Sequence, residues 1–161
     1  MAQNASAKIG VTVNLQSSIS LVFQNNAAVG SVGFCPLTNA GTNNVDLDLG
    51  TASRAAGDSL TCVAFQSLNG PARYQVSSSF DVQVQKANTA SANYRLAVSL
   101  SSAPPANVVW LLNATTLTTA AQTISAAAAY GRVTEALHVQ VRNNVAAGAL
   151  FETITFTANA N

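Results

Sequence analysis

The side chain in this chain best suited to acid–base catalysis is His138, the single histidine. It lies in "ALHVQV", where Leu137, Val139 and Val141 alternate with it and so occupy the opposite face of a strand. The sequence contains no GxSxG motif, which would place a nucleophilic serine on a sharp strand-to-helix turn. We therefore predict that His138 is a surface residue on the outer side of a strand.

The second candidate for chemistry is the carboxylate pair Asp46 and Asp48 in "NVDLDLG". Two residues apart on one strand face, these carboxylates would stand about 7 Å from each other. Paired carboxylates can act on glycosidic bonds or bind calcium. They alternate with Val45, Leu47 and Leu49, however, which is typical of a solvent face opposite a core face. Since "GPAR" and "YGRV" contain no phosphate-binding loop either, we expect no enzyme activity, no cofactor and no metal.

The two cysteines, Cys35 and Cys62, allow two interpretations. No CxxC pair or Cys/His cluster indicates a metal site. In an exported protein a disulfide between the two is favoured, and it would stabilise the fold by about 3–4 kcal/mol on the chain-entropy model. Two unlinked thiols in the core are the alternative, because free cysteines are often buried.

The elements that would carry these residues are strands. Apolar residues recur at every second position in short stretches separated by turn-like segments such as "NAGTNN", "LNGPA" and "APPAN". This pattern predicts an antiparallel all-β sandwich. The stretches are "SISLVFQ", "NVDLDLG", "SLTCVAFQ", "RYQVSSSFDVQVQ", "NYRLAVSL", "NVVWLLN", "ALHVQV" and "LFETITFTA". The alanine-rich residues 118–131 are expected to form a loop or strand rather than a helix, and Trp110 is expected in the core.

Length and charge narrow the possible functions. The 161 residues suit one domain, and only 8% of them are charged, against about 25% in an average soluble protein. A net charge of +1 offers no electrostatic footprint for nucleic acid or an anionic membrane. No apolar run approaches the roughly 20 residues of a membrane span. The opening "MAQNAS" fits the remnant of a removed signal peptide, so we expect an extracellular protein.

The C-terminal third resembles a known family. "AYGRV" at 129–133 is followed by "NNVAAGALFETITFTA" at 143–158, which is similar to the closing pattern of the spore coat protein U domain family. Its members are secreted bacterial pilus subunits of the archaic chaperone–usher kind. The resemblance implies an immunoglobulin-like antiparallel sandwich that lacks one strand, which a neighbouring subunit supplies. It also implies three kinds of partner: identical subunits, a periplasmic chaperone and an outer-membrane usher.

The segment "ASAKIGVTVNL" at 5–15 is the candidate for the supplied strand. Its apolar phase continues at Ile19, Leu21 and Phe23, and only "QSS" intervenes, without the glycine or Asn-Gly that a tight hairpin needs. Residues 1–17 are therefore predicted to form an extension and residues 18–161 a single sandwich domain. An ordinary first strand within the same fold is the alternative. The candidate donor residues are Ala7, Ile9, Val11, Val13 and Leu15.

The groove that receives this strand is predicted between the first and last strands of the neighbouring subunit. In "LFETITFTA" the period of two places Ile154 and Phe156 toward the core and Thr153, Thr155 and Thr157 outward. The candidate acceptor residues are Leu21, Phe23, Ile154 and Phe156.

These features together favour a structural role. The hypothesis is a subunit of an extracellular pilus that polymerises by donor-strand complementation and serves adhesion or biofilm formation. One alternative is a secreted carbohydrate-binding or adhesin β-sandwich. Another is a subunit of a non-pilus biofilm-matrix fibre that uses the same strand exchange.

The disulfide between Cys35 and Cys62 can be tested by thiol titration. The chain, exported and then denatured without reductant, should show no reactive thiol, because both sulfurs would be bonded. Replacing both cysteines by serine should lower the free energy of unfolding by about 3–4 kcal/mol. Two reactive thiols per chain would contradict the pairing and weaken the case for export.

Overall fold

The computed structural model describes residues 18–31, 34–51, 65–68 and 73–161. This part of the chain contains nine strands and every pairing between them is antiparallel. The strands are β1 (Ser18–Gln24), β2 (Phe65–Leu68), β3 (Arg73–Ala87), β4 (Asn93–Leu100), β5 (Val108–Leu112), β6 (Thr115–Thr116), β7 (Gln122–Ala129), β8 (Gly131–Arg142) and β9 (Ile154–Ala160).

The strands form two sheets. In the larger sheet the order is β1-β3-β8-β5-β6, and β2 also pairs with β3. Because β8 occupies one edge of β3, β1 and β2 lie one after the other along its opposite edge. The smaller sheet has the order β7-β4-β9. The predicted all-β antiparallel sandwich is confirmed.

The core lies between the sheets and follows the period of two. On β3, Val76, Phe80, Val82 and Val84 are buried, and the neighbouring strand β8 contributes Leu137, Val139 and Val141 to the same face, with Val139 directly opposite Val76. The smaller sheet adds Tyr94, Leu96, Val98 and Leu100 from β4. β-branched and aromatic side chains fill such a half-buried pleated surface well, which explains why these stretches form strands.

Two regions were harder to interpret from the sequence. The alanine-rich stretch forms β7, the edge strand beside β4, in agreement with the expectation of a loop or strand. The predicted strand at residues 45–49 is wrong: apart from an isolated bridge between Thr38 and Asp46, this segment has no regular pairing. Its alternation still holds, because Val45, Leu47 and Leu49 pack against the core. In the described ranges, no helix is long and apolar enough to cross a membrane.

The turn after β1 is fixed to the larger sheet by a buried carboxylate. Asp81 lies on the face of β3 away from the core, and its Oδ1 accepts hydrogen bonds from Asn26 Nδ2 at 2.6 Å and Thr134 Oγ1 at 2.7 Å. Arg132 forms an ion pair with Oδ2 and donates to the carbonyl oxygen of Asn25. Burial raises the pKa of Asp81, but these hydrogen bonds and the guanidinium charge outweigh burial and lower it.

A second carboxylate, Glu135, points into the core. It shares the inward phase of Leu137 on β8 and is only 4% exposed. Asn113, in the turn between β5 and β6, donates from Nδ2 to Glu135 Oε2 at 2.5 Å. Burial raises the pKa of Glu135, and the Asn113 hydrogen bond only partly opposes this. The negative charge of Glu135, added to burial, also raises the pKa of Tyr94 on the facing sheet.

Glu135 should therefore make the protein less stable as the pH rises. Its folded-state pKa lies above the unfolded-state value, so the folded chain binds more protons and stability falls between these two pKa values. Glu135→Gln keeps an acceptor for Asn113 and removes the charge. We expect this variant to be more stable than the parent at neutral pH, with a flatter stability profile above pH 4 in urea denaturation.

Glu152 provides a matched control with the opposite sign. Burial raises its pKa, but hydrogen bonds from Ser101, Ser102 and Thr153 outweigh burial and lower it. Its stabilising contribution is present above the unfolded-state pKa and is lost as the pH falls through the folded-state pKa. Glu152→Gln should accordingly destabilise the protein at neutral pH. Equal responses of the two variants would contradict the assignment of Glu135 as a buried, destabilising charge.

Candidate functional site: a groove between the first and last strands

The candidate site lies where the edge strands β1 and β9 of the two sheets face each other. In the described part of the chain, β1 pairs along its length with β3, and β9 pairs with β4. No ladder of backbone hydrogen bonds joins β1 to β9 within those residues. Each strand therefore presents one backbone edge toward the space between them.

The two strands run in opposite directions along this space. Ile19 is opposite Lys86 in the β1–β3 pairing, and Lys86 Nζ lies 5.0 Å from the centre of the Tyr130 ring. Tyr130 in turn packs on Tyr94, whose partner on β9 is Ala160. The start of β1 and the end of β9 thus lie at the same end of the sandwich.

The space is a groove of about 810 Å³. Leu21 and Ile154 supply apolar side chains from its two walls, and none of its lining residues is ionisable. The groove therefore offers apolar contact and backbone hydrogen bonds, the two features that bind an extended strand. Its lining residues are Ile19, Ser20, Leu21, Val22, Phe23, Gly41, Thr42, Asn43, Asn44, Thr153, Ile154, Thr155 and Phe156.

Three phenylalanine rings hold the sheets together beside the groove. Phe23 of β1 packs edge-on against Phe156 of β9, with ring centroids 5.1 Å apart. Phe80 of β3 lies 6.0 Å from Phe23 and 6.1 Å from Phe156. These edge-to-face contacts have the geometry that aromatic quadrupoles favour. The groove is thus bounded by side-chain packing, not by strand pairing.

Residues 41–44 line the groove at the Phe23 end, which the sequence analysis did not anticipate. The amide of Phe23 donates to the carbonyl of Thr42 at 2.8 Å, and the amide of Gly41 donates to the carbonyl of Phe23 at 2.6 Å. Gly41 has a φ of +92°, which glycine adopts without strain. The turn-like composition of "NAGTNN" predicted a turn here, but composition does not indicate which strand a turn will contact.

The structure brings together the four predicted acceptor residues. Leu21, Phe23, Ile154 and Phe156 all line the groove. The predicted phase of the last strand is confirmed, since Ile154 and Phe156 are half-buried while Thr153, Thr155 and Thr157 are exposed, although β9 begins only at Ile154. Their role as acceptors stays a prediction.

The predicted donor residues and one of the two cysteines fall outside the part of the chain that the structure describes. The donor residues Ala7, Ile9, Val11, Val13 and Leu15 lie outside the described residues. So does Cys62, and the Cys35–Cys62 disulfide stays a prediction. Cys35 itself is buried, and its amide donates to Ser78 Oγ on β3 at 2.9 Å.

His138 lies on the outer face of β8, as predicted, but it is half-buried in a polar cluster. Its Nδ1 is 2.7 Å from Ser77 Oγ and 3.2 Å from Gln75 Nε2. Burial lowers the pKa of His138, which favours the neutral ring. The sequence did not indicate this hydroxyl–imidazole pair, because Ser77 is on a different strand. A hydroxyl and an imidazole alone do not make a nucleophilic site, because catalysis also needs a group that orients the imidazole and a site for the acyl oxygen.

The structure also places the remaining candidates, Asp46, Asp48 and Trp110. Asp46 and Asp48 are exposed, as their alternation predicted, and Asp48 Oδ1 accepts from the amide of Gly50 at 2.8 Å. Trp110 is 8% exposed and belongs to the core. Over the residues that the structure describes, no three His, Cys, Asp or Glu side chains cluster as a metal site would require.

The phenylalanine cluster predicts unequal effects at adjacent positions of β9. Phe156→Ala removes two ring contacts and should lower the free energy of unfolding by up to about 3 kcal/mol, less than for a fully buried ring. Thr157→Ala, on the exposed face, should change it by less than about 0.5 kcal/mol. Urea denaturation of the full chain measures both. Similar losses for the two variants would show that the cluster does not hold the sheets together.

Comparison with known proteins adds little to this geometry. No family model matches the chain, and no curated protein matches it. Among solved structures, one similar chain belongs to a structure described as "Chaperone-tip adhesin complex is vital for synergistic activation of CFA/I fimbriae biogenesis". The TM-score is 0.34 and the identity 14%, over 61% of this chain and 38% of that chain, so well under half of that protein is matched. A likeness this weak carries no argument about function.

Proposed function

We propose that this chain is a non-enzymatic structural subunit of an extracellular fibre, which polymerises by donor-strand complementation. In this proposal the segment at residues 5–15 of one copy fills the groove between β1 and β9 of the next copy. The observation that carries the proposal is the groove itself, with its two strand edges and its uncharged, partly apolar lining.

The backbone of the groove supports strand addition. The amide and carbonyl groups on the groove side of β9 can pair with an added strand and so extend the smaller sheet beyond β9. On β1, the amide and carbonyl of Phe23 already bond to Thr42 and Gly41. β9 therefore offers the longer free edge, and a strand antiparallel to β9 would continue the pairing pattern of its sheet.

The side chains of the segment fit the groove in type and spacing. Ile9, Val11, Val13 and Leu15 recur at every second residue, so one face of an extended segment would present all four to the core. Gly10, on the opposite face, would point away from it. Burying four such side chains would contribute about 6–12 kcal/mol before ordering costs.

The connection to β1 favours a second copy over the chain's own groove. Filling its own groove would require the segment to turn back on β1 at residues 16–17. A two-residue hairpin there needs positive φ at its central residues, and Gln16 and Ser17 are poorly suited to that. A segment that continues outward from β1 instead reaches roughly 30 Å at about 3.3 Å per residue.

The resemblance to the spore coat protein U domain family adds detail to the proposal. It suggests an immunoglobulin-like subunit of an archaic chaperone–usher pilus, exported with a removed signal peptide. A periplasmic chaperone would cover the groove before assembly, and an outer-membrane usher would direct polymerisation. Adhesion or biofilm formation would be the role of the fibre.

The experiment compares two aspartate variants at adjacent positions of the segment. Val13→Asp places a charge in the apolar groove and should abolish filaments seen by negative-stain electron microscopy. Thr12→Asp, on the opposite face of the segment, should leave them intact. A synthetic peptide of residues 5–15, added in excess to the full chain before assembly, should also block filaments. The same peptide with serine at positions 9, 11, 13 and 15 should not.

Two outcomes would contradict the proposal. If Val13→Asp forms filaments as readily as the parent, the segment does not fill the groove. If the parent is a stable monomer and Val13→Asp lowers its free energy of unfolding, the segment is an ordinary strand of its own sandwich.

A further inference from the structure

A fixed, exposed pair of apolar side chains stands just before β9, at one end of the groove. Phe151 is 85% exposed and Leu150 is 40% exposed. Val29 and Val133 are the other large apolar side chains with high exposure in the described ranges. Single exposed apolar residues are common, but two in sequence beside an open groove are characteristic of an interaction surface.

Glu152 fixes the backbone directly after this pair. Its Oε1 accepts from Ser101 Oγ at 2.6 Å and from the amides of Ser101 and Ser102 at 3.0 and 3.2 Å. Oε2 accepts from Ser102 Oγ at 2.8 Å, and the amide of Thr153 adds a further bond to Oε1 at 2.9 Å. The loop is thus bound to the end of β4 on the C-terminal side of Phe151. A backbone fixed in this way loses little conformational entropy when a partner covers the side chains beside it.

We propose that Phe151, with Leu150, docks against the body of the second copy of this chain whose segment fills the adjacent groove. The inference rests on the proposed function and deepens it: Phe151 would be an anchor of the subunit–subunit contact outside the groove. The partner is a second copy because the donor segment, where it leaves the groove, continues directly into the sandwich of the copy that supplied it.

The direction of the donor segment determines that the sandwich of the donor copy lies near Phe151. A segment antiparallel to β9 has its Leu15 end beside the start of β9, next to Thr153. From there only Gln16 and Ser17 precede Ser18, where the donor copy's own sandwich begins. Three residues span about 10 Å when extended. The donor copy must therefore begin within about that distance of the Phe151 end of the groove.

The surface that Phe151 would meet is the Ser18 end of the donor copy. In that region Ser18 pairs with Ala87, and the Lys86 ammonium lies over the Tyr130 ring. A phenylalanine can pack against an aliphatic lysine stem and a tyrosine ring there. This contact would fix the angle between consecutive subunits. The two residues that connect the donor segment to its own sandwich do not fix that angle alone.

The experiment uses filaments of the full chain. Phe151→Ser should still assemble, but its filaments should release monomer at least about tenfold faster at a fixed guanidinium concentration. Val29→Ser, at an exposed valine in the turn after β1, should release monomer at the parent rate. Benzoylphenylalanine in place of Phe151 should crosslink to a second chain at residues 18–20 or 86–91.

The possible failures are distinguishable. If the peptide of residues 5–15 blocks assembly but Phe151→Ser releases monomer at the parent rate, the Phe151 contact is wrong and the groove proposal stands. Crosslinks confined to the same chain lead to that conclusion too. If the parent forms no filaments, or forms them equally well in the presence of the peptide, both proposals are wrong.

Discussion

Edge-to-face packing of Phe23, Phe80 and Phe156 joins the two sheets where hydrogen bonding between strands does not. A sandwich normally excludes water from both long sides by bringing edge strands into register. Among the described residues, three rings join the sheets on the β1–β9 side, and a groove lies beside them. Side-chain packing can hold two sheets together without satisfying the backbone edges, and those edges remain available for an added strand.

The few charged residues of the chain are used selectively. Asp81 is buried with its partners and fixes the turn after β1, whereas Glu135 is buried beside Asn113 and its pKa is raised by that burial. Glu152 secures the loop before β9 through serine hydroxyls and backbone amides. Each carboxylate thus acts where a loop meets a strand. In the proposed fibre, a surface with so little charge would let identical subunits approach one another without strong electrostatic repulsion.

Alternation predicted much of the fold and part of the site. It identified β1, β3, β4, β8 and β9 and the inward phase of Ile154 and Phe156, because a half-buried strand must present apolar residues at every second position. It failed at residues 45–49, which alternate in the same way but lack a strand partner. Burial of one face produces the pattern, and a loop segment lying on a core satisfies that condition as well as a strand does.

The sequence by itself determined the fold class and which residues of each strand face inward, because side-chain period is a local property of the extended backbone. It also indicated four residues around the groove, since they follow the same phase. Only the tertiary structure decided that β1 and β9 face each other, that residues 41–44 line the groove, and that Glu152 fixes the backbone beside the exposed Phe151. These depend on contacts between residues far apart in the chain, such as Gly41 with Phe23 and Glu152 with Ser101. No local pattern encodes such pairings, because they are fixed by how whole sheets pack.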